Sequence, residues 1–242
     1  MAENKPKLVI QGWQPRYAKR RFGVLLVILL VLLAGPPILF GFGFSAGWLD
    51  GVMAVLMLAA ILSLCFERHQ RIFALVLGTP TIAFCLGGHA FSGAFGAGVL
   101  LIGHTCQILF FFGAAGLIVK SLFNACSLTF DSIFGAVCGY LFLGLGWAVL
   151  YSVIELYQPG SFHISQSLMT DDQSARPLPH VLTYYSFVTL TTVGYGDISP
   201  ISPATRTFAW IEAITGQFYL AVIVAGLVSM LVAKPSLEEV EE

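Results

Sequence analysis

Six apolar stretches recur along the chain, at Phe22–Phe40, Trp48–Phe66, Ile72–Leu86, Gly98–Val119, Ile133–Tyr157 and Thr207–Val232. A helix needs about 20 mostly apolar residues to cross the hydrocarbon core of a bilayer. The third stretch is the shortest. Pro36-Pro37, near the far end of the first, predicts a kink or a stop there, because proline removes a backbone donor and crowds the preceding turn. A further apolar stretch follows Leu178-Pro179 and runs to Leu190. It is too short to span, and glycines, an aspartate and then a full span come after it. A half-length helix whose chain turns back to the same side is re-entrant. Such backbone is tolerated at membrane depth only when buried in protein or lining a water-filled path. The pattern predicts an all-α membrane protein with six transmembrane helices, plus one re-entrant helix and loop beside a pore.

Composition agrees. Hydrophobic residues make up 57% and charged residues 10% of the 242, against about 25% charged in soluble domains. There is too little polar surface to cover a water-soluble globule. A net charge of −1 offers no bulk basic field for nucleic acid. Basic residues fix the orientation. Lys5, Lys7, Arg16, Lys19, Arg20, Arg21, Arg68, Arg71, Lys120 and Lys234 share one side of a six-span layout, and only Arg176 and Arg206 fall on the other. The positive-inside rule makes the first side cytoplasmic, with both termini there, in a plasma membrane. Residues 1–45 have the basic-then-apolar outline of a signal peptide, but the apolar run is long and shows no convincing small-x-small site.

Little else suggests chemistry. Cys65, Cys85, Cys106, Cys126 and Cys138 are odd in number, form no C-x-x-C pair and read as small buried hydrophobes. The five histidines have no ligand spacing. His163 and His180 fall in the long outer loop, where histidine can confer pH sensitivity. Gly87–Gly98 reads as a flexible outer turn and lacks a P-loop lysine. No cofactor, metal cluster or nucleophile–base pair is expected, and the chain does not read as an enzyme.

Between the re-entrant helix and the last span stands Thr191-Thr192-Val193-Gly194-Tyr195-Gly196-Asp197. With a half-helix before it and a spanning helix after it, this run resembles the selectivity filter of the potassium-channel superfamily. The likeness is to bacterial six-span channels with one pore loop per chain. It is specific over about residues 131–233 and only topological over 22–120. It implies K+ held by the backbone carbonyls of Thr192, Val193, Gly194 and Tyr195 and by the Thr192 hydroxyl. Aiming consecutive carbonyls to one side requires some residues at positive φ, which Gly194 and Gly196 permit. Tyr195 would brace the loop from behind, and Asp197 would accept hydrogen bonds at the outer mouth. Pro179 suits a first helical position. The C-terminal end of that helix, near Leu190, carries about half a negative charge and would favour a cation in the cavity.

The same resemblance extends along the pore region. Tyr184 and Tyr185 match the paired aromatics that brace the filter. Val188 stands where some simple channels carry a glutamate. Asp131 reads as an N-cap of the outer helix. Gly216 matches the gating hinge of the inner helix, the other reading being a close helix packing contact, a common use of glycine in a membrane. Gln217, Leu220, Val224 and Val228 continue at helical spacing and would line the cavity and inner gate. Glu212 is an ionisable residue inside a span, hence a functional candidate. It can bond to the pore helix or to Arg206, or it can be an acid near the outer interface.

One departure matters. The first four spans take the place of a voltage sensor, yet Gly98–Val119 contains His104 and Gln107 and no Lys or Arg. One charge moved through 100 mV yields about 2.3 kcal/mol, and steep gating needs several per subunit. The sequence therefore predicts a voltage-independent channel whose stimulus is unknown. The expected organisation is a basic cytoplasmic segment (1–21), a sensor-like four-helix domain without gating charges (22–120), a linker (121–130), a pore domain (131–233) and an acidic tail (234–242). One filter strand cannot surround an ion, so four copies are expected to form a homotetramer among membrane lipids, with room for an unknown regulatory ligand or subunit. Two rivals are a potassium-transporter subunit and a non-conducting scaffold. Transporters of that kind usually keep four pore loops in one chain and one filter glycine.

Overall fold

A computed structural model describes residues 21–40, 68–87, 93–123, 129–165 and 179–232. They form six helices and two short strands: α1 (Arg21–Phe40), α2 (Arg68–Gly87), α3 (Gly93–Phe123), α4 (Phe130–Tyr157), β1 (Phe162–Ile164), α5 (Pro179–Leu190), β2 (Ile198–Pro200) and α6 (Pro203–Val232). Among the described residues, three helical stretches are long and apolar enough to cross a membrane: Gly98–Phe123, Phe130–Tyr157 and Pro203–Ser229. The expected span Trp48–Phe66, the basic segment and the acidic tail lie outside the described residues.

Helix α4 is the centre of the packing. Phe142, Leu145, Trp147 and Tyr151 are buried, and α1, α3, α5 and α6 all touch α4. Aromatic rings carry much of this contact. Phe111 stacks on Phe142 with ring centroids 5.8 Å apart, and Phe112 meets Trp147 edge-on at 5.4 Å. Glycines on α4 let neighbours close in. The Phe187 ring of α5 fills the space a side chain at Gly144 would need, and the Tyr219 hydroxyl does so at Gly139. Small residues at helix contacts are the usual membrane solution, because lipid is as apolar as leucine and only close packing and hydrogen bonds favour association. The opposite faces of α1, α2 and α3 expose Val27, Val31, Val76 and Ile102. Apolar surface of that kind suits contact with lipid.

Helix ends depart from several expectations. Thr129, not Asp131, caps α4: its side chain accepts from the Ser132 amide at 3.2 Å, and the Ser132 hydroxyl accepts in return from the Thr129 amide at 3.4 Å. Asp131 instead reaches another helix. Its Oδ1 accepts from the amides of Phe22 and Gly23, at 3.0 and 3.1 Å, in the first turn of α1. Amides at the start of a helix lack the i−4 carbonyls that serve its interior and readily take such an acceptor. Helix α1 continues past Pro36-Pro37 to Phe40. Helix α3 begins at Gly93, so part of the glycine-rich stretch read as a turn is helical. Helix α6 begins at Pro203, where the Ser202 hydroxyl accepts from the Thr205 amide at 3.2 Å. In α2, Pro80 interrupts the amide ladder, and the Thr79 and Thr81 hydroxyls donate to the carbonyls of Leu75 and Leu77. Hydroxyls of this kind help satisfy backbone groups around a proline in a membrane.

Beyond α4 the chain is pinned by a carboxylate. Glu155 is buried and accepts from the amides of Gly160 and Ser161 at 2.7 and 2.9 Å. Strand β1 then pairs antiparallel with β2, with Phe162 opposite Pro200 and Ile164 opposite Ile198. The Ser165 amide donates to the Asp197 carbonyl at 2.9 Å. The loop after α4 is thus hydrogen-bonded to the end of the 191–197 segment.

Substituting Asp131→Ala should uncouple the start of α1 from α4. The expected cost is about 1–2 kcal/mol, as for a lost helix cap. Thermal unfolding of the detergent-solubilised protein would report it as a lowered Tm, whereas an unchanged Tm would show that apolar packing alone docks α1.

Candidate functional site

The site begins where α5 stops being a helix. Beyond Leu190 the amides still point backwards. Thr191 N–H donates to Phe187 O at 3.0 Å, Thr192 N–H to Thr189 O at 2.9 Å, and Val193 N–H to Val188 O at 3.0 Å, with Gly194 N–H at 3.4 Å from the same oxygen. The Thr191 hydroxyl adds a bond to Phe187 O at 2.6 Å. The donors of this segment are therefore taken up by the last turn of α5. None of the described hydrogen bonds ends on the carbonyls of Thr192, Val193, Gly194 or Tyr195.

Backbone handedness alternates along the same residues. Thr192, Gly194 and Gly196 have φ of 60°, 59° and 80°, and no intervening residue is left-handed. Alternation of this kind turns successive carbonyls toward a common side. Gly194 and Gly196 are where the sequence placed positive φ. Thr192 was missed, because a β-branched residue is a rare occupant of that region. A conformation so unfavourable for its side chain persists only when its surroundings over-determine it, and such residues gather at functional sites. Residues 191–196 are all exposed in the single chain, Tyr195 to 72%. The side chain expected to brace the loop thus has little of its own subunit to lean on.

At the outer end, the Tyr184 hydroxyl donates to Asp197 Oδ2 at 2.6 Å, and the Ile198 amide donates to Asp197 Oδ1 at 3.0 Å. Tyr185 turns inward and is buried edge-on between Phe162 and Tyr151, with centroids 5.1 and 5.2 Å away. Val188 contributes its carbonyl, the acceptor for the Val193 amide described above, while its side chain is half-buried.

At the inner end, α6 crosses beneath the end of α5 without a break in the helix at Gly216. A Cβ at Gly216 would collide with the Leu190 carbonyl oxygen. The close-approach use of this glycine is therefore present. The Tyr140 hydroxyl donates to the same carbonyl at 3.1 Å. Next to it, Gln217 Nε2 donates to Thr192 Oγ1 at 3.3 Å. Gln217, Leu220, Val224 and Val228 share one face and line an open groove of about 980 Å³ together with Ala221 and Ser229.

Glu212 lies behind α5, fully buried. Its Oε2 accepts from the Tyr151 hydroxyl at 2.7 Å, and its Oε1 lies 2.5 Å from the Ser186 hydroxyl. Of the partners weighed from sequence, the helix preceding the 191–197 segment is the one found. Arg206 turns its Nε to the Pro200 carbonyl at 3.2 Å. Tyr151 and Ser186 gave no local signal, being 61 and 26 residues from Glu212 in the chain. Among the described residues, no group of three or more His, Cys, Asp or Glu side chains could hold a metal ion.

Residues 178–233 match a family model described as "Ion channel". The chain is 35% identical over 97 residues to Protein LctB of Bacillus caldotenax, a match covering 40% of this chain and 70% of that protein. It is 39% identical over 46 residues to Two-pore potassium channel 5 of Arabidopsis thaliana, which covers 19% of this chain and 11% of the relative. Two pore potassium channel c of Oryza sativa subsp. japonica matches to the same degree over 46 residues, 10% of its length. No solved structure matches the chain.

The substitution Tyr184→Phe removes a hydrogen bond to a carboxylate and leaves the ring in place. Bonds of that type are worth about 1–2 kcal/mol. Hydrogen exchange at the amides of 196–198 should accelerate about tenfold, and an unchanged rate would mean that β1–β2 pairing alone holds the segment.

Proposed function

The chain belongs to the potassium-channel superfamily, and from that premise we propose that four copies of it form one potassium-selective pore, with Thr191–Asp197 as the filter. Conduction is passive, down the electrochemical gradient of K+. The observation that carries the reading is the alternation of left-handed φ at Thr192, Gly194 and Gly196, with the amides of residues 191–194 engaged by α5. A potassium ion entering a narrow pore must exchange its water shell for other oxygens. Carbonyls of Thr192, Val193, Gly194 and Tyr195, with the Thr192 hydroxyl, supply them at successive levels.

Each neighbouring element has a task in this reading. Helix α5 is the re-entrant pore helix, and the negative end of its dipole faces the cavity. Tyr184, Tyr185, Val188 and Glu212 hold the filter from behind. Helix α4 is the outer helix and α6 the inner helix of a pore domain spanning 131–233. The groove along Gln217, Leu220, Val224 and Val228 becomes a quarter of the cavity and inner gate. Gly216 is the hinge, placed where α6 already slides past Leu190.

Assembly follows from surface chemistry. Trp210, Ile214, Phe218 and Val222 on α6 are exposed in the single chain, as are Val193 and Tyr195. Ion-channel families generally work as oligomers, and fourfold closure covers such faces while completing the ring of carbonyls. The helices before the pore form a sensor-like domain, 22–120, without gating charges. Helix α3 carries His104 and Gln107 where a sensor would carry arginines, so opening is voltage-independent and answers another, unknown stimulus, with room for a regulatory ligand or subunit. The expected setting is the plasma membrane, with six spans and both termini cytoplasmic.

The purified protein in a planar bilayer, with potassium on one side and sodium on the other, should give unitary currents that reverse near the potassium limit. Opening should vary weakly with voltage. Currents that do not discriminate the two ions would overturn the filter assignment, and steep intrinsic voltage dependence would overturn the gating assignment. Gly194→Ala places a Cβ on a left-handed residue at a cost of about 1–2 kcal/mol, repeated four times around the axis. Its reversal potential should move well away from the potassium limit.

A further inference from the structure

Behind the filter, five oxygen atoms of four residues lie in a chain. The Tyr151 hydroxyl is 2.7 Å from Glu212 Oε2, Glu212 Oε1 is 2.5 Å from the Ser186 hydroxyl, and that hydroxyl is 2.8 Å from the Gly144 carbonyl. These are three oxygen–oxygen contacts, each needing one proton. Tyrosine and serine supply one proton apiece, while a carbonyl and an ionised carboxylate can only accept. Two protons cannot fill three contacts. If Glu212 were ionised, Ser186 could donate to Glu212 or to Gly144, and the other contact would set lone pair against lone pair. If Glu212 carries a proton, all three are satisfied in one arrangement: Tyr151 donates to Oε2, Glu212 donates from Oε1 to Ser186, and Ser186 donates to Gly144.

The surroundings favour the same assignment. Glu212 is fully buried. Among the described residues, the titratable groups that sense Glu212 are Tyr151 and Tyr140 of α4 and Tyr185 of α5, none of them a cation. Glu155, one turn along α4 from Tyr151, is engaged by the amides of Gly160 and Ser161. Arg206, on α6 itself, is turned to the Pro200 carbonyl. A buried carboxylate without a counter-charge costs several kcal/mol, whereas a neutral acid with satisfied hydrogen bonds does not.

We propose that Glu212 is a positioning residue for the filter that works as a neutral carboxylic acid, its proton completing a hydrogen-bonded chain that joins α6, α5 and α4. Ser186 sits immediately before Phe187 and Val188, whose carbonyls hold the amides of Thr191 and Val193. Fixing Ser186 against Gly144 and Glu212 thereby fixes the anchor of the filter. Ionisation at alkaline pH would remove a donor from the chain and loosen that anchor. The functional half of this proposal rests on residues 191–197 being the filter, and the charge state does not.

Glutamine is the discriminating replacement, since its amide group keeps a donor toward Ser186 and an acceptor toward Tyr151. Glu212→Gln should retain potassium current and thermal stability within about twofold of the unsubstituted protein, whereas Glu212→Ala and Ser186→Ala should each lower current about tenfold or more. Current through the unsubstituted channel should fall reversibly at alkaline pH, and that fall should be absent in Glu212→Gln. Infrared difference spectra should contain a protonated carboxyl stretch that shifts in heavy water and is missing from Glu212→Gln. A spectrum without that band, or Glu212→Gln failing as badly as Glu212→Ala, overturns the proposal. If the unsubstituted protein passes no selective current, the filter assignment falls, while the infrared band still decides the charge state.

Discussion

A backbone that leaves its helix inside a membrane must still find partners for its amides, because no water is available to take them. At residues 191–194 the last turn of α5 meets that demand. Its carbonyls, at Phe187, Val188 and Thr189, accept the outgoing amides. The chain beyond is free to alternate in handedness, and its own carbonyls stay uncommitted. The surrounding architecture serves to keep this one helix end in place.

Four contacts do so from different directions. Glu212 and Ser186 tie α5 to α6 and α4 from behind. Gly216 lets α6 press directly against the Leu190 carbonyl, which Tyr140 also holds. Tyr184 bonds to Asp197 at the far end of the segment, and β1–β2 pairing fastens the residues beyond it. Helix α4 joins these supports to the outer helices, through Asp131 at the start of α1 and through the aromatic seam with α3. Phe123, the last residue of α3, lies 2.6 Å from where a Cβ on Gly226 of α6 would be. Helix α3 therefore touches both α4 and α6.

Much of this was legible in the chain. The bounds of α5 were readable because a half-length apolar stretch stands between Pro179 and a run of glycines. Positive φ at Gly194 and Gly196 was readable because glycine alone enters that region freely. Thr192 was not, since nothing in its residue type advertises a left-handed backbone. Asp131 was misread because a local rule looks for an acceptor at the start of its own helix, and the carboxylate went to the amides of α1. The start of α3 was misread because glycine signals a turn in water but stays helical where backbone groups must pair. The partners of Glu212 were invisible because they come from two other helices and meet it only after packing.

The central claim is that four copies place the carbonyls of Thr192, Val193, Gly194 and Tyr195 around one ion path. An experimental structure of the assembled protein in potassium tests it most directly, compared with one in sodium. The account predicts fourfold symmetry and ordered ion density on the axis between successive rings of those carbonyls, reduced or rearranged in sodium. A protein that remains monomeric, or an assembly whose axis is lined by other residues, would contradict it.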